Sequence, residues 1–193
     1  MRRTTLRTAL PLATASLLLT GIGLAAPSSA NMPSTAEGDL VRNSLLSATD
    51  EQLPVGAWAR VRAIETGSGK TVVTLKVRGL AVNATYGAHA HYRPCGLASQ
   101  PLASGAHYQN VPQYADETTA SKNAAYANPA NEVWLDLTTD DEGNGSAQTV
   151  VNWQFRGSDP VLRSVVIHRD VTNPADGSAG VAGPRLGCIS VAF

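Results

Sequence analysis

From residue 53 onward the chain alternates apolar and polar positions with a period of two, the pattern of strands buried on one face. AWARVRAI at 57–64 alternates in its second half, and TVVTLKVRGL at 71–80 alternates again. The TGSG turn between them predicts a hairpin. Further strands are predicted at 86–93, 132–139, 146–155, 164–168 and 186–193, with DDEGNG at 140–145 as another turn. Two stretches break the rhythm. Residues 97–131 are rich in Ala, Asn, Ser and Tyr and show no period, and 171–184 are rich in Gly and Pro. Loops that long in a compact domain usually carry function. Seven or eight short strands, no long helix and no internal repeat predict an all-β, antiparallel sandwich or flattened barrel.

The first fifty residues read differently. Arg2, Arg3 and Arg7 precede an apolar run from 10 to 26, and Ser28-Ser29-Ala30 places small residues where a signal peptidase reads. Residues 1–30 are therefore expected to be a secretory signal peptide cleaved after Ala30. Pro11, Thr14, Ser16 and Thr20 interrupt that run, which is short for a membrane span, and no later segment is longer. Residues 31–50 are mixed and polar. They read as a tether with a short helical piece around 40–46, leaving 51–193 as one domain with ample length for a core.

Charge and cysteines follow from that leader. The whole chain is neutral, with 15 basic and 15 acidic residues. Without the three leader arginines it has 12 basic residues against 15 acidic, a net −3. No basic excess remains to neutralise phosphates, which argues against a nucleic-acid partner. Cys95 and Cys188 are the only cysteines. Outside the cytosol an isolated pair reads as one structural disulfide, stabilising by on the order of 4 kcal/mol in the chain-entropy picture. Redox or metal-binding thiols are the alternative, although no C-x-x-C is present.

The chain has four histidines: His89, His91, His107 and His168. Residues two apart on a strand share a face, so GAHAHYRPCG presents His89 and His91 together. Two imidazoles at that spacing can chelate one ion, and imidazole suits copper, zinc, iron and nickel. The same pair also fits surface histidines satisfied by ordinary neighbours. Periodicity does not bring the other two histidines to them.

A family pattern does. GAHAHYRPCG resembles the G-[hydrophobic]-H-V-H…C segment of the copper/zinc superoxide dismutases. GAHYQN at 105–110 looks like that family's G-P-H-F-N-P, and LTTDDEG at 137–143 is similar to its L-T-x-D-x-D-G. SVVIH at 164–168 looks like its strand ending in V-V-H, and AGPRLGC at 182–188 resembles its A-G-x-R-L-A-C-G. The five segments occur in the family's order across most of 55–193. The resemblance implies an eight-stranded Greek-key β-barrel with two long functional loops. It implies copper held by His89, His91, His107 and His168, a Cys95–Cys188 disulfide, and Arg185 as the active-site cation. The activity implied is disproportionation of superoxide to dioxygen and hydrogen peroxide. Arg185 would hold the anion, and His107 would pass a proton to the peroxide.

The chain departs from the family at the zinc site. No histidine lies between His107 and His168, and Val133 stands where the zinc aspartate belongs. Asp136 falls on a position usually filled by Asn, and Asp116 and Glu117 alone do not make a tight zinc site. A copper-only site is therefore expected. The loop after His168 is shorter than the family's charged loop and has Arg169, Asp170 and Asp176 but no lysine. Thr172 lies near the place of the family's linking aspartate. Two other readings use the same residues. A copper-binding protein without turnover, serving storage or delivery, fits the ligands but gives Arg185 no task. A secreted β-sandwich for adhesion predicts no stoichiometric copper. The sequence carries no signature of oligomeric state.

Overall fold

The computed structural model describes residues 33–42, 51–157 and 161–193; the expected signal peptide lies outside them. The described residues contain nine strands and no helix. They are β1 (Ser34–Asp39), β2 (Val41–Arg42), β3 (Trp58–Glu65), β4 (Thr71–Arg78), β5 (Thr85–His91), β6 (Leu137–Thr138), β7 (Gly145–Val151), β8 (Leu162–His168) and β9 (Arg185–Ala192). One sheet runs β1-β3-β4-β7 and the other β2-β9-β8-β5-β6, with every pairing antiparallel. Among the described residues no ladder joins the sheets, so of the two forms expected, sandwich or barrel, the fold is the sandwich.

The predicted hairpin forms as β3 and β4. Its alternation is realised as Ala59, Val61 and Ala63 facing Val73, Leu75 and Val77, all buried, while Arg60 and Arg62 point outward. The segment expected to be a tether behaves otherwise over its described part. β1 pairs with the free edge of β3 and β2 with β9, and Leu40 between them enters the core. STAEGD carries no apolar alternation because it sits on an edge and is held by backbone ladder bonds and the Glu37–Arg60 ion pair at 3.2 Å. Of the short helical piece expected at 40–46, residues 41–42 are strand and 43–50 lie outside the described residues.

β5 and β8 are buried on both faces over nearly their whole length. On the inner face Tyr86, Ala88 and Ala90 join Val165 and Ile167 in the core between the sheets. On the outer face the register sets Gly87 opposite His168, His89 opposite Val166 and His91 opposite Ser164. The two aperiodic stretches fold over that outer face, which is why it is buried. The predicted strand at 132–139 is mostly a covering segment. Only Leu137–Thr138 forms a ladder, while Trp134 bridges His89 and Glu132 bridges Gln109 singly.

Candidate metal centre

The outer face of β5 and β8 gathers all four histidines. One ring nitrogen from each of His89, His91, His107 and His168 lies within 4.8 Å of the others, and this is the only group of three or more His, Cys, Asp or Glu so arranged among the described residues. His89 and His91 come from β5, two residues apart. His168 ends β8 on the same face. His107 arrives from the first long loop, which turns at Gly105 and runs back along β5. Tyr92 donates its N–H to Ala106, and Tyr108 donates to Ala90, at 3.1 and 2.8 Å. This sets His107 opposite His91. Gly105 takes φ +74°, and a Cβ there would lie 2.5 Å from the Glu117 carbonyl, so the turn requires glycine.

Each ring is braced through its other nitrogen. His91 donates Nδ1–H to the Gly105 carbonyl at 3.0 Å, and His168 donates Nδ1–H to the Gly183 carbonyl at 3.2 Å. His107 donates Nδ1–H to Glu132 Oε2 at 2.9 Å. His89 uses Nε2, which lies 2.7 Å from the Thr172 hydroxyl. Carbonyls and carboxylates only accept, so these partners fix the tautomers of His91, His107 and His168 and leave their Nε2 lone pairs free. Outer partners of this kind orient metal-binding imidazoles.

Two features show that the ring nitrogens suit a cation. His89 Nδ1 is buried without a hydrogen-bond partner. His91 Nε2 and His168 Nε2 face each other at 3.5 Å, two lone pairs with no proton to share once both Nδ1 atoms carry theirs. Burial, reinforced by the neighbouring rings, holds His89 and His91 well below the usual imidazole range. Burial and His107 lower His168 to about 3. Neutral imidazoles are the ligand form. A softer divalent or monovalent metal that favours nitrogen fits this donor set.

Arg185 begins β9 beside the cluster. Its Nη2 donates to the Gly105 carbonyl at 2.6 Å, and its Nη1 donates to Ser104 Oγ and the Pro101 carbonyl at 3.0 and 3.2 Å. The Gly105 oxygen thus joins Arg185 to His91 directly. Cys95 and Cys188 form the disulfide, spanning 93 residues with Cα atoms 5.8 Å apart. It ties the start of the first long loop to β9.

The chain has the fold of a copper/zinc superoxide dismutase. Such an enzyme from Brucella abortus superposes with a TM-score of 0.52 at 18% identity, covering 80% of this chain and 97% of that one. The clock protein EA4 superposes at 0.51 with 15% identity, covering 83% and 92%. No family model and no curated protein matches the chain. The positions weighed for a zinc site are engaged elsewhere. Val133 is in the hydrophobic core. Glu117 pairs with Arg93 at 3.0 Å on the surface, and Asp116 caps the turn at Thr118 and Thr119. Among the described residues, the four histidines are the one group of three or more His, Cys, Asp or Glu placed to hold an ion.

Glu132 is the residue that sequence reasoning missed. It is 1% exposed and accepts from three side chains: His107 Nδ1, Trp134 Nε1 at 2.7 Å and Gln109 Nε2 at 2.7 Å. A signal was present. In 132–137, Val133, Leu135 and Leu137 face the core, so Glu132, Trp134 and Asp136 share the opposite face. Thr172, near the place of the family's linking aspartate, contacts both His89 and Asp136.

Proposed function

We propose that this chain is a copper-dependent superoxide dismutase acting outside the cytosol, with no zinc. The observation that carries the reading is the convergence of four braced imidazole nitrogens with a guanidinium one carbonyl away. His89 Nδ1 and the Nε2 atoms of His91, His107 and His168 would hold copper. Bound copper supplies a one-electron couple, so that two superoxide anions and two protons become dioxygen and hydrogen peroxide.

The chain's own residues do the rest. Arg185 has five N–H donors, three of them committed to the loop, and the remainder can bind a small anion. With a net charge of −3 after leader removal, this local cation matters more than the global field. When its Nε2 is not holding copper, His107 would take a proton there from water and pass it to the peroxide. Glu132, fixed at Nδ1, stabilises the charged ring during that transfer, a task for which no second metal is needed. The disulfide supports an oxidising compartment.

The test loads the protein with copper alone and measures bound metal and superoxide loss in one sample. One copper per chain with fast turnover is expected. His168→Ala should abolish turnover, and Arg185→Ala should lower it about 100-fold, the scale of a lost anion-stabilising donor. N-terminal sequencing of the exported protein should begin at Asn31. A second reading, copper holding without turnover, is favoured by one observation: Arg185 already braces Pro101, Ser104 and Gly105. It predicts one tight copper with turnover no better than free copper.

A further inference from the structure

His89 is the exception among the four rings. The other three are braced by groups that only accept, so their tautomers are fixed directly. His89 faces a hydroxyl, which can donate or accept. What that hydroxyl does is decided one step further out. Thr172 Oγ1 lies 2.6 Å from Asp136 Oδ1, and the Thr172 N–H donates to Asp136 Oδ2 at 2.8 Å. The Ala88 N–H donates to Asp136 Oδ1 at 3.3 Å, so the carboxylate is held between β5 and the second long loop. Asp136 itself stands 4.0 Å from His89 Nε2, too far for a direct hydrogen bond.

The geometry points to Thr172 as a positioning residue: pinned by Asp136, its hydroxyl sets the tautomer of His89 and so leaves the nitrogen that faces the cluster with its lone pair. A threonine has one hydroxyl proton. The carboxylate takes it, because a carboxylate offers acceptors alone. Toward His89 the oxygen can then only accept, so His89 Nε2 carries the hydrogen and Nδ1 carries the lone pair. Nδ1 is the buried atom left without a partner. Thr172 is itself buried, and its hydroxyl and N–H are both held by Asp136. The inference rests on the cluster being the copper site and does not require turnover.

The test uses Thr172→Val, which keeps the shape and removes the hydroxyl, and Thr172→Ser, which restores it. The first readout is nitrogen NMR of the histidine rings in the metal-free protein. The second is copper(II) affinity by competition with a chelator. In the unmodified chain His89 should show a protonated Nε2 and an unprotonated Nδ1. Thr172→Val should lose that single tautomer and bind copper 10- to 100-fold more weakly, the range for lost outer-shell partners. Thr172→Ser should recover both. A protonated Nδ1 in the unmodified chain overturns the proposal, and this arm holds even where the valine variant does not fold. So does a valine variant with the original tautomer, whatever its affinity, or a serine variant that recovers neither property. A protein that shows the expected tautomer and binds copper without turning superoxide over supports this inference and removes the dismutase reading.

Discussion

Glu132 shows how much one buried residue decides. Its two oxygens receive three N–H donors and offer none in return. Glu132→Gln keeps the volume but turns an NH2 group against at least one of those donors. A buried donor left facing a donor costs about 1–3 kcal/mol. Thermal unfolding of the metal-free variant should therefore show a lowered midpoint. The loaded variant should turn over about tenfold more slowly while retaining its copper, because the proton-carrying ring has lost its countercharge but the four nitrogens remain. Gln109 and Trp134 donate to the same carboxylate, so their substitution effects should not add to that of Glu132.

At the scale of elements, the site depends on how closely the second long loop approaches β5. Gly87 is the contact point: a Cβ there would lie 2.6 Å from the Asp170 carbonyl and 2.7 Å from the Ala182 Cβ. Neither neighbour is the end of a flexible side chain. Gly87→Ala should push residues 169–184 off the strand, at a cost of about 1–3 kcal/mol, the scale of overpacking. It should also weaken copper binding, because that loop carries Thr172 and the Gly183 carbonyl. A melting curve and a copper titration check both. The elements differ in how readily the sequence revealed them. β3 and β4 bury one face each, so their alternation was plain. The outer-face histidines were marked by residue type and by the family's spacing. β1 was not marked, because its place is set by backbone pairing along an edge, which demands no apolar period. The 132–136 segment was marked by its alternation, which shows a buried face but not that single bridges replace a ladder there. The braces at Gly105 and Gly183 were invisible for a related reason: a carbonyl has no letter of its own.

For the whole molecule, the metal-free state should be sensitive to acid. His89, His91 and His168 stay neutral when folded, with His168 protonating only near pH 3, whereas an unfolded chain takes up these protons below about pH 6.5. Below that pH the unfolded state binds more protons, so stability falls as pH falls. Above pH 6.5 these histidines add no pH dependence. Between pH 6.5 and 3 each removes up to about 1.4 kcal/mol per pH unit. Urea unfolding of the metal-free protein across that range should show the decline, and His168→Ala should make it shallower. Reduction of Cys95–Cys188 is a separate loss, on the order of 4 kcal/mol, that should appear at neutral pH as a lower unfolding midpoint.

Two of the four rings lean on the peptide backbone and not on any side chain. Mutation cannot delete a carbonyl; it can only move the chain that bears it. Neighbouring positions are therefore free to change identity so long as the loops keep their path, and the centre is inherited as a course of the backbone more than as a spelling. A lineage built on such a centre can drift far in its letters while its metal-binding geometry stands still, and the vulnerable positions are the few glycines that let the path turn.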